Sequence, residues 1–294
     1  MNYSSTHPFP LRFILTLGFM GMCIGFLGPA CAQNNSKTIA VQLSTSNVVR
    51  LEELTWPELE GKIKTGYTTV LVPTGGTEQG GPQLALGKHN FVVQYAAERI
   101  ARSSGRVLVA PVLPFVPEGE HQKPTGNLLY PGTIGLSEET FAKTLIDVST
   151  SLYLSGFKLI VLMGDHGQSI SIQNLVAENL NKEWAPLGVR VTSLTAYYDE
   201  SLETRVLSSS GIAKNEWGDH AGVADTSELW FVRAKAVRSR ALEQQKFQVG
   251  NGERGSGASG RPERSSVQLG KQMMELRINA AVRQLKAFIE NADK

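Results

Sequence analysis

The sequence predicts an α/β fold: a single three-layer domain whose mostly parallel sheet is flanked by helices. Three observations predict it. Short apolar runs rich in β-branched residues recur at Thr69–Pro73, Val107–Val112, Leu159–Met163 and Val189–Leu194. The first three runs are essentially continuously apolar and do not alternate, as expected of strands covered on both faces. The segments between them are long enough for a helix and carry helical start and stop signals, which is the pattern of a parallel sheet built from strand–helix units.

The elements follow in order. Thr55-Trp56-Pro57-Glu58 reads as a helix start, with Thr55 as N-cap and proline in the first turn. Thr69–Pro73 is the first buried strand, followed by a glycine-rich stretch from Thr74 to Gly87 and a helix from Asn90 to about Arg102. After the second strand, Ser137 caps a helix that sets Phe141, Leu145, Val148 and Leu152 on one face, and Gly156 ends it. The third strand leads into a helix from about Gln168 to Glu183, and the fourth strand follows. Gly250–Gly260 reads as a loop, and a last helix runs from about Ser266 to Ala292. No internal repeat is evident, so residues 51–294 are taken as one domain.

The first 32 residues have a different character. Arg12 precedes an apolar run from Phe13 to Leu27, no acidic residue occurs before Glu52, and Ala30-Cys31-Ala32 offers small residues for cleavage after Ala32. This is the pattern of a secretory signal peptide, so the expected location is secreted or periplasmic. The run is short of the ~20 residues of a spanning helix, and no membrane association is expected after cleavage. Residues 33–50, polar and rich in Ser, Thr and Asn, read as a flexible lead-in. Both cysteines, Cys23 and Cys31, lie within the leader, which excludes thiol catalysis and thiolate metal sites in the remainder. A net charge of +2 without clustered basic residues gives no electrostatic case for nucleic acid.

Beyond the leader there are four histidines: His89, His121, His166 and His220. They lie in or beside loops that follow predicted strands, where ligands bind in parallel sheets. Three follow an acid directly: Glu120, Asp165 and Asp219. Imidazole with carboxylate is the usual donor set for zinc and similar divalent ions. A lone loop histidine is more often a surface or capping residue, so spacing by itself leaves the assignment open.

The motifs around these residues resemble the creatininase (creatinine amidohydrolase) family. Thr77-Glu78-Gln79-Gly80-Gly81-Pro82-Gln83-Leu84-Ala85-Leu86-Gly87-Lys88-His89 resembles that family's first signature, approximately S-T-E-Q-H-G-P-H-L-P-L-G-T-D. Pro131-Gly132-Thr133-Ile134-Gly135-Leu136 resembles P-G-T-I-S-L, with His121 shortly before it. Gly164-Asp165-His166-Gly167-Gln168-Ser169 resembles N-G-H-G-G-N, and His220-Ala221-Gly222-Val223-Ala224-Asp225-Thr226-Ser227 resembles H-A-G-E-x-E-T-S. Gly260-Arg261-Pro262 with Gly270 resembles a late G-D-P…G element.

The resemblance implies two metal ions at the strand ends, but this chain departs from the pattern. One set carries over as Glu78, His89 and His166, all able to bind metal. The other becomes Gly80, His89 and Gln168: no side chain, an imidazole that cannot bridge two ions, and a weak ligand. The expectation is one divalent ion per subunit, zinc before manganese, in a His₂Glu set with an open position. His220 matches the family's catalytic histidine, and Asp225, which stands where the family has glutamate, is taken with it as a catalytic candidate. Asp165 reads either as a loop cap, the blander reading and the one favoured by sequence, or as a partner of a ligating histidine. Gln168, His121 and Trp217 are candidates to orient ligands or touch substrate.

The function so implied is metal-dependent hydrolysis of a small, perhaps cyclic amide outside the cytoplasm, with metal-bound water attacking the carbonyl and His220 protonating the leaving nitrogen. The alternative is a non-catalytic relative whose degenerate site binds a small molecule or serves in assembly. Family analogy adds a homo-oligomer, commonly a hexamer. Amino-terminal sequencing of exported protein is expected to start near Gln33; intact Met1 on membrane-bound material would contradict the leader.

Overall fold

Thr55 begins the first helix as its sequence demands. Its hydroxyl and backbone N–H both reach Glu58 Oε2, at 2.7 and 2.8 Å, so the helix start is capped by its own third residue. The computed structural model describes residues 47–244 and 255–292. The leader expected over residues 1–32, its cleavage site, and the lead-in up to residue 46 lie outside the described residues.

From that start the chain runs α1 (Trp56–Lys64), β1 (Thr69–Thr74), α2 (Lys88–Ser104), β2 (Val107–Val109), α3 (Glu138–Leu154), β3 (Leu159–Gly164), α4 (Gly167–Trp184) and β4 (Arg190–Ser193). The strands form one parallel sheet in the order β2-β1-β3-β4. β2 stops at Val109, short of the expected Val112, because Pro111 has no N–H to give the ladder. Four helices complete the described chain: α5 (Glu200–Ser209), α6 (Val223–Val232), α7 (Ser239–Gln244) and α8 (Val267–Ala292). α5 to α7 occupy a stretch in which the sequence announced no element. No helix of the described residues is long and apolar enough to cross a membrane.

The sheet separates two cores. Leu71, Val107, Val109, Val161 and Met163 pack with Val93, Ala96 and Ile100 of α2, Leu229 of α6 and Met274 of α8. Val70, Val72, Leu108, Ile160 and Leu162 pack with Phe141 and Leu145 of α3 and Val176 of α4. This is the expected three-layer α/β arrangement. α6 and α8 approach so closely that a Cβ on Gly270 would stand 1.9 Å from the Ser227 carbonyl oxygen, which explains a glycine there.

Pairing of Thr69 with Leu159 through Thr74 with Gly164 ends β1 and β3 at one level. β1 leads outward to β2 and β3 leads the other way to β4, so a crevice opens beyond the carboxyl ends of the two central strands. The side chains that matter hang there. Leu71→Ala is expected to lower unfolding free energy by about 2–5 kcal/mol, since its side chain is wholly buried. Leu154→Ala, at a position 77% exposed, should change it by less than about 0.5 kcal/mol. Denaturant titration of both variants checks the contrast.

Candidate metal centre

Asn90, one residue into α2 beyond His89, ties down the loop that follows β1. Its Oδ1 accepts from Gly76 N–H at 3.0 Å and its Nδ2 donates to Thr77 Oγ1 at 3.1 Å. The Glu78 N–H then donates to the Leu86 carbonyl at 2.9 Å. The carboxylate of Glu78 is thereby held wholly buried over the strand ends. His89 comes from the first turn of α2, and His166 is the N-cap residue of α4, directly after β3.

These three residues converge. His89 Nε2 lies 2.9 Å from Glu78 Oε1 and His166 Nε2 lies 3.2 Å from Glu78 Oε2. The two imidazole rings stand edge to face with centroids 5.3 Å apart. One donor atom from each residue lies within 4.8 Å of the others, and among the described residues no other group of three His, Cys, Asp or Glu does so.

The surrounding bonds bear on whether a cation fits. His89 Nδ1 lies 2.8 Å from Asp165 Oδ2, while Asp165 Oδ1 accepts from Tyr197 Oη at 2.6 Å and Arg277 Nη2 at 2.8 Å. Both ring nitrogens of His89 therefore face carboxylate oxygens. Either the ring carries both protons, or Asp165 keeps the Nδ1 proton and a metal ion takes the place of the other, the arrangement that orients metal-ligating histidines. His166 Nε2 lies 3.3 Å from Glu118 Oε2 as well, so it too is aimed at carboxylates. His166 Nδ1 and Glu118 Oε1 are buried without a partner among the described residues. Two imidazoles and a carboxylate, converging and braced from behind, fit a divalent ion of the zinc type.

The electrostatics agree with that donor set. Burial by itself would raise the Glu78 carboxyl, but Lys88, His166 and His89 outweigh it and hold it well below the usual carboxylate range. Burial lowers His166, yet Glu118 and Glu78 push it up to about 9. Burial and Lys88 lower His89, and Asp165 and Glu78 more than reverse this. Glu118 is raised, chiefly by burial. The buried carboxylates thus hold both imidazoles above their ordinary values, as they would favour any cation at that point.

Lys88 is the residue the sequence did not single out. Its side chain is 3% exposed, and its Nζ lies 3.0 Å from Glu78 Oε1 and 2.7 Å from Asp225 Oδ2. A Cβ on Gly80 would stand 3.5 Å from Lys88 Cδ and 2.9 Å from Leu84 Cβ. Leu84 thus takes the space that a Cβ at position 80 would need, while the lysine stem lies at ordinary packing distance from it. Glu118 and Asn127 were also not singled out. Asn127 Nδ2 donates to both Glu78 Oε2 and Glu118 Oε2, and Glu118 lies only two residues before Glu120, the acid that the sequence did mark. Glu118 lies in the loop that follows β2, and that placement was its one available signal.

The remaining candidates divide. Asp165 is no loop cap: it is buried and bonded to His89, Tyr197 and Arg277. Asp225 accepts from Lys88 Nζ and, at 2.7 Å, from the Ala221 N–H, so it serves as the counter-charge of Lys88. That bond, with the Ala221 carbonyl accepting from Gln83, holds Ala221 at a φ of +49° and presents His220 to the cluster. His220 Nδ1 lies 3.9 Å from Glu78 Oε1. Trp217 spends its Nε1 proton on the Ile212 carbonyl and lines a cavity beside His89. His121 is exposed and bonds the Gly135 carbonyl, outside the cluster. Gln168 is exposed in the first turn of α4 and makes no described hydrogen bond to the cluster.

Comparison with known proteins agrees with this architecture. A creatinine amidohydrolase from Pseudomonas putida is 31% identical over 121 residues, 41% of this chain and 46% of that protein. A 3-dehydro-scyllo-inosose hydrolase from Thermotoga maritima is 27% identical over 124 residues, 42% of this chain and 38% of that one. The alignments with these relatives thus span less than half of their length. Among solved structures, a mutant creatininase in its zinc–zinc form superimposes with a TM-score of 0.65 at 21% identity, covering 82% of this chain and 98% of that chain. A manganese creatininase gives 0.64 at 21% identity with the same coverage. The family model described as creatinine amidohydrolase matches residues 52–285, and the chain therefore belongs to the creatininase family.

Proposed function

We propose that the chain is a metal-dependent amidohydrolase that cleaves a C–N bond in a small amide, using one divalent ion held by Glu78, His89 and His166. The carrying observation is the convergence of those three side chains at the strand ends, with Asp165 bracing His89. Zinc is the ion that such a donor set suits best. When bound, it would supply Lewis acidity: polarisation of an amide carbonyl and a lowered pKa for water.

The residues around Glu78 support the reading of a single ion. Gly80 offers no ligand, and Gln168 is exposed. The ammonium of Lys88 already bonds the Glu78 oxygen that faces away from His166. A second divalent ion there would meet a resident positive charge. Creatinine hydrolysis as performed by two-metal relatives is accordingly not expected of this site.

His220 supplies the proton chemistry. Its Nε2 lies 2.7 Å from the side-chain nitrogen of Gln79 and 3.1 Å from the Gln79 backbone oxygen. The amide donates to the neutral ring and the carbonyl accepts from Nε2–H, so either protonation state at that atom has a partner. Burial first, then Lys88, lower its pKa, which keeps it neutral near pH 7 and able to take up a proton before delivering it to a leaving nitrogen. The apolar run after Arg12 and the Ala30-Cys31-Ala32 site support a reading in which the protein is exported and acts outside the cytoplasm; assembly into a homo-oligomer is part of the same reading.

The test is a hydrolysis screen over small lactams, hydantoin-like rings, formamides and short peptides, with and without a chelator. Turnover is expected on at least one small amide, abolished by chelation and restored by zinc, with creatinine poor. His220→Ala should lower turnover by about 10²–10⁴-fold. No metal-dependent turnover on any amide would favour the non-catalytic reading. Asp165→Asn should weaken zinc binding by about 10–100-fold, read by competition with a chromogenic chelator.

A further inference from the structure

Asn127 links the metal donors to His220 through one other side chain. Its Nδ2 donates to Glu78 Oε2 and to Glu118 Oε2, and its Oδ1 accepts from Gln79 Nε2 at 2.9 Å. Gln79 Nε2 in turn lies 2.7 Å from His220 Nε2. Gln79 is buried, and its Oε1 accepts from the Gly81 N–H at 2.9 Å. Gly257 passes over it so closely that a Cβ there would stand 2.1 Å from that oxygen. The backbone of His220 is fixed as well: its N–H donates to Ser259 Oγ at 3.1 Å, and its carbonyl accepts from the Ser259 N–H at 2.9 Å.

Each end of this chain of bonds admits one polarity only. Carboxylates accept and a backbone N–H donates, so neither amide can be turned end for end without setting acceptor against acceptor or donor against donor. The hydrogens then count out. Asn127 spends its two on the two carboxylates. Gln79 spends one on Asn127 Oδ1, and its second points at His220 Nε2. A neutral imidazole has one bare nitrogen, and the amide hydrogen of Gln79 requires it to be Nε2.

We propose that Asn127 and Gln79 are positioning residues that hold the resting His220 ring with its proton on Nδ1. An imidazole free in water favours the opposite tautomer, protonated on Nε2. Here that form would set its N–H against the amide hydrogen of Gln79 across 2.7 Å. Nδ1 is the nitrogen on the Glu78 side, 3.9 Å from Oε1, so the proton stands where the substrate amide is to be cleaved. The inference deepens the metal-dependent reading and rests on it for the use of that proton. The two ring nitrogens then divide the work. Nε2 takes up a proton from solvent and bonds the Gln79 carbonyl, 3.1 Å away, while Nδ1 gives its own to the leaving nitrogen, so the ring gains one proton and loses one.

The test is nitrogen-15 NMR of the zinc-loaded protein carrying labelled histidine, at a pH where the ring is neutral. The His220 signals are identified by their loss in His220→Ala. In the wild type Nε2 should resonate as a bare nitrogen and Nδ1 as a protonated one. Asn127→Ala, which frees the Gln79 amide, should move both shifts toward the average of the two tautomers. Gln79→Glu, which sets an acceptor where the amide donated, should make Nε2 the protonated nitrogen, and it decides the matter should the Asn127 variant fail to fold. A wild-type ring protonated on Nε2, or folded variants whose Nε2 stays bare, would overturn the proposal. Zinc content is read on the same samples. A wild type that binds no zinc but shows a bare Nε2 would refute the metal centre and leave the positioning of His220 standing.

Discussion

A carboxylate removed from water keeps its charge only if cations meet it. Glu78 is wholly buried, and the structure around it is arranged to meet that requirement. Lys88 reaches one of its oxygens from the start of α2, His89 the same oxygen from the next residue, and His166 the other from the end of β3. Removing one partner of such a buried pair costs about 3–5 kcal/mol, because the other charge is left unanswered. The strand register matters for the same reason: β1 and β3 end level, so groups that follow them in the chain arrive at one point.

Charge is passed outward from this point in steps. Asp165 braces His89 and is in turn answered by Arg277, which also faces Glu228 and Glu203. Asp225 answers Lys88. The glycine at position 80 is required by Leu84, whose Cβ a side chain there would meet at 2.9 Å, and the ammonium of Lys88 supplies a positive charge at the Glu78 oxygen that does not face His166. A buried ammonium thus stands beside Glu78, the carboxylate on which His89 and His166 converge.

Much of this was legible in the sequence because strand ends and turns leave strong local signals. The four strands, α1 to α4 and α8 announced themselves through continuous β-branched runs, the Thr55 and Ser137 caps and helical periodicity. Glu78, His89 and His166 were legible because the motifs around them persist. α5 to α7 were not, since α5 and α6 pack on α8 and α7 on the turn at residues 262–264, partners distant in the chain. Lys88 escaped notice because a lysine at a helix start is normally solvated; only the fold shows it buried between two acids. Arg277 was hidden likewise within the long periodic helix α8. Asp165 was misjudged in favour of a loop cap, since its partners, Tyr197 and Arg277, lie 32 and 112 residues away.

The proposed single-ion centre with a lysine beside it is most directly tested by anomalous X-ray diffraction at the zinc edge, on crystals of the protein grown with zinc. One peak per chain is expected, within bonding distance of Glu78, His89 and His166, with Lys88 Nζ still on Asp225. Two peaks sharing Glu78 or His89, with Lys88 displaced from between Glu78 and Asp225, would contradict it.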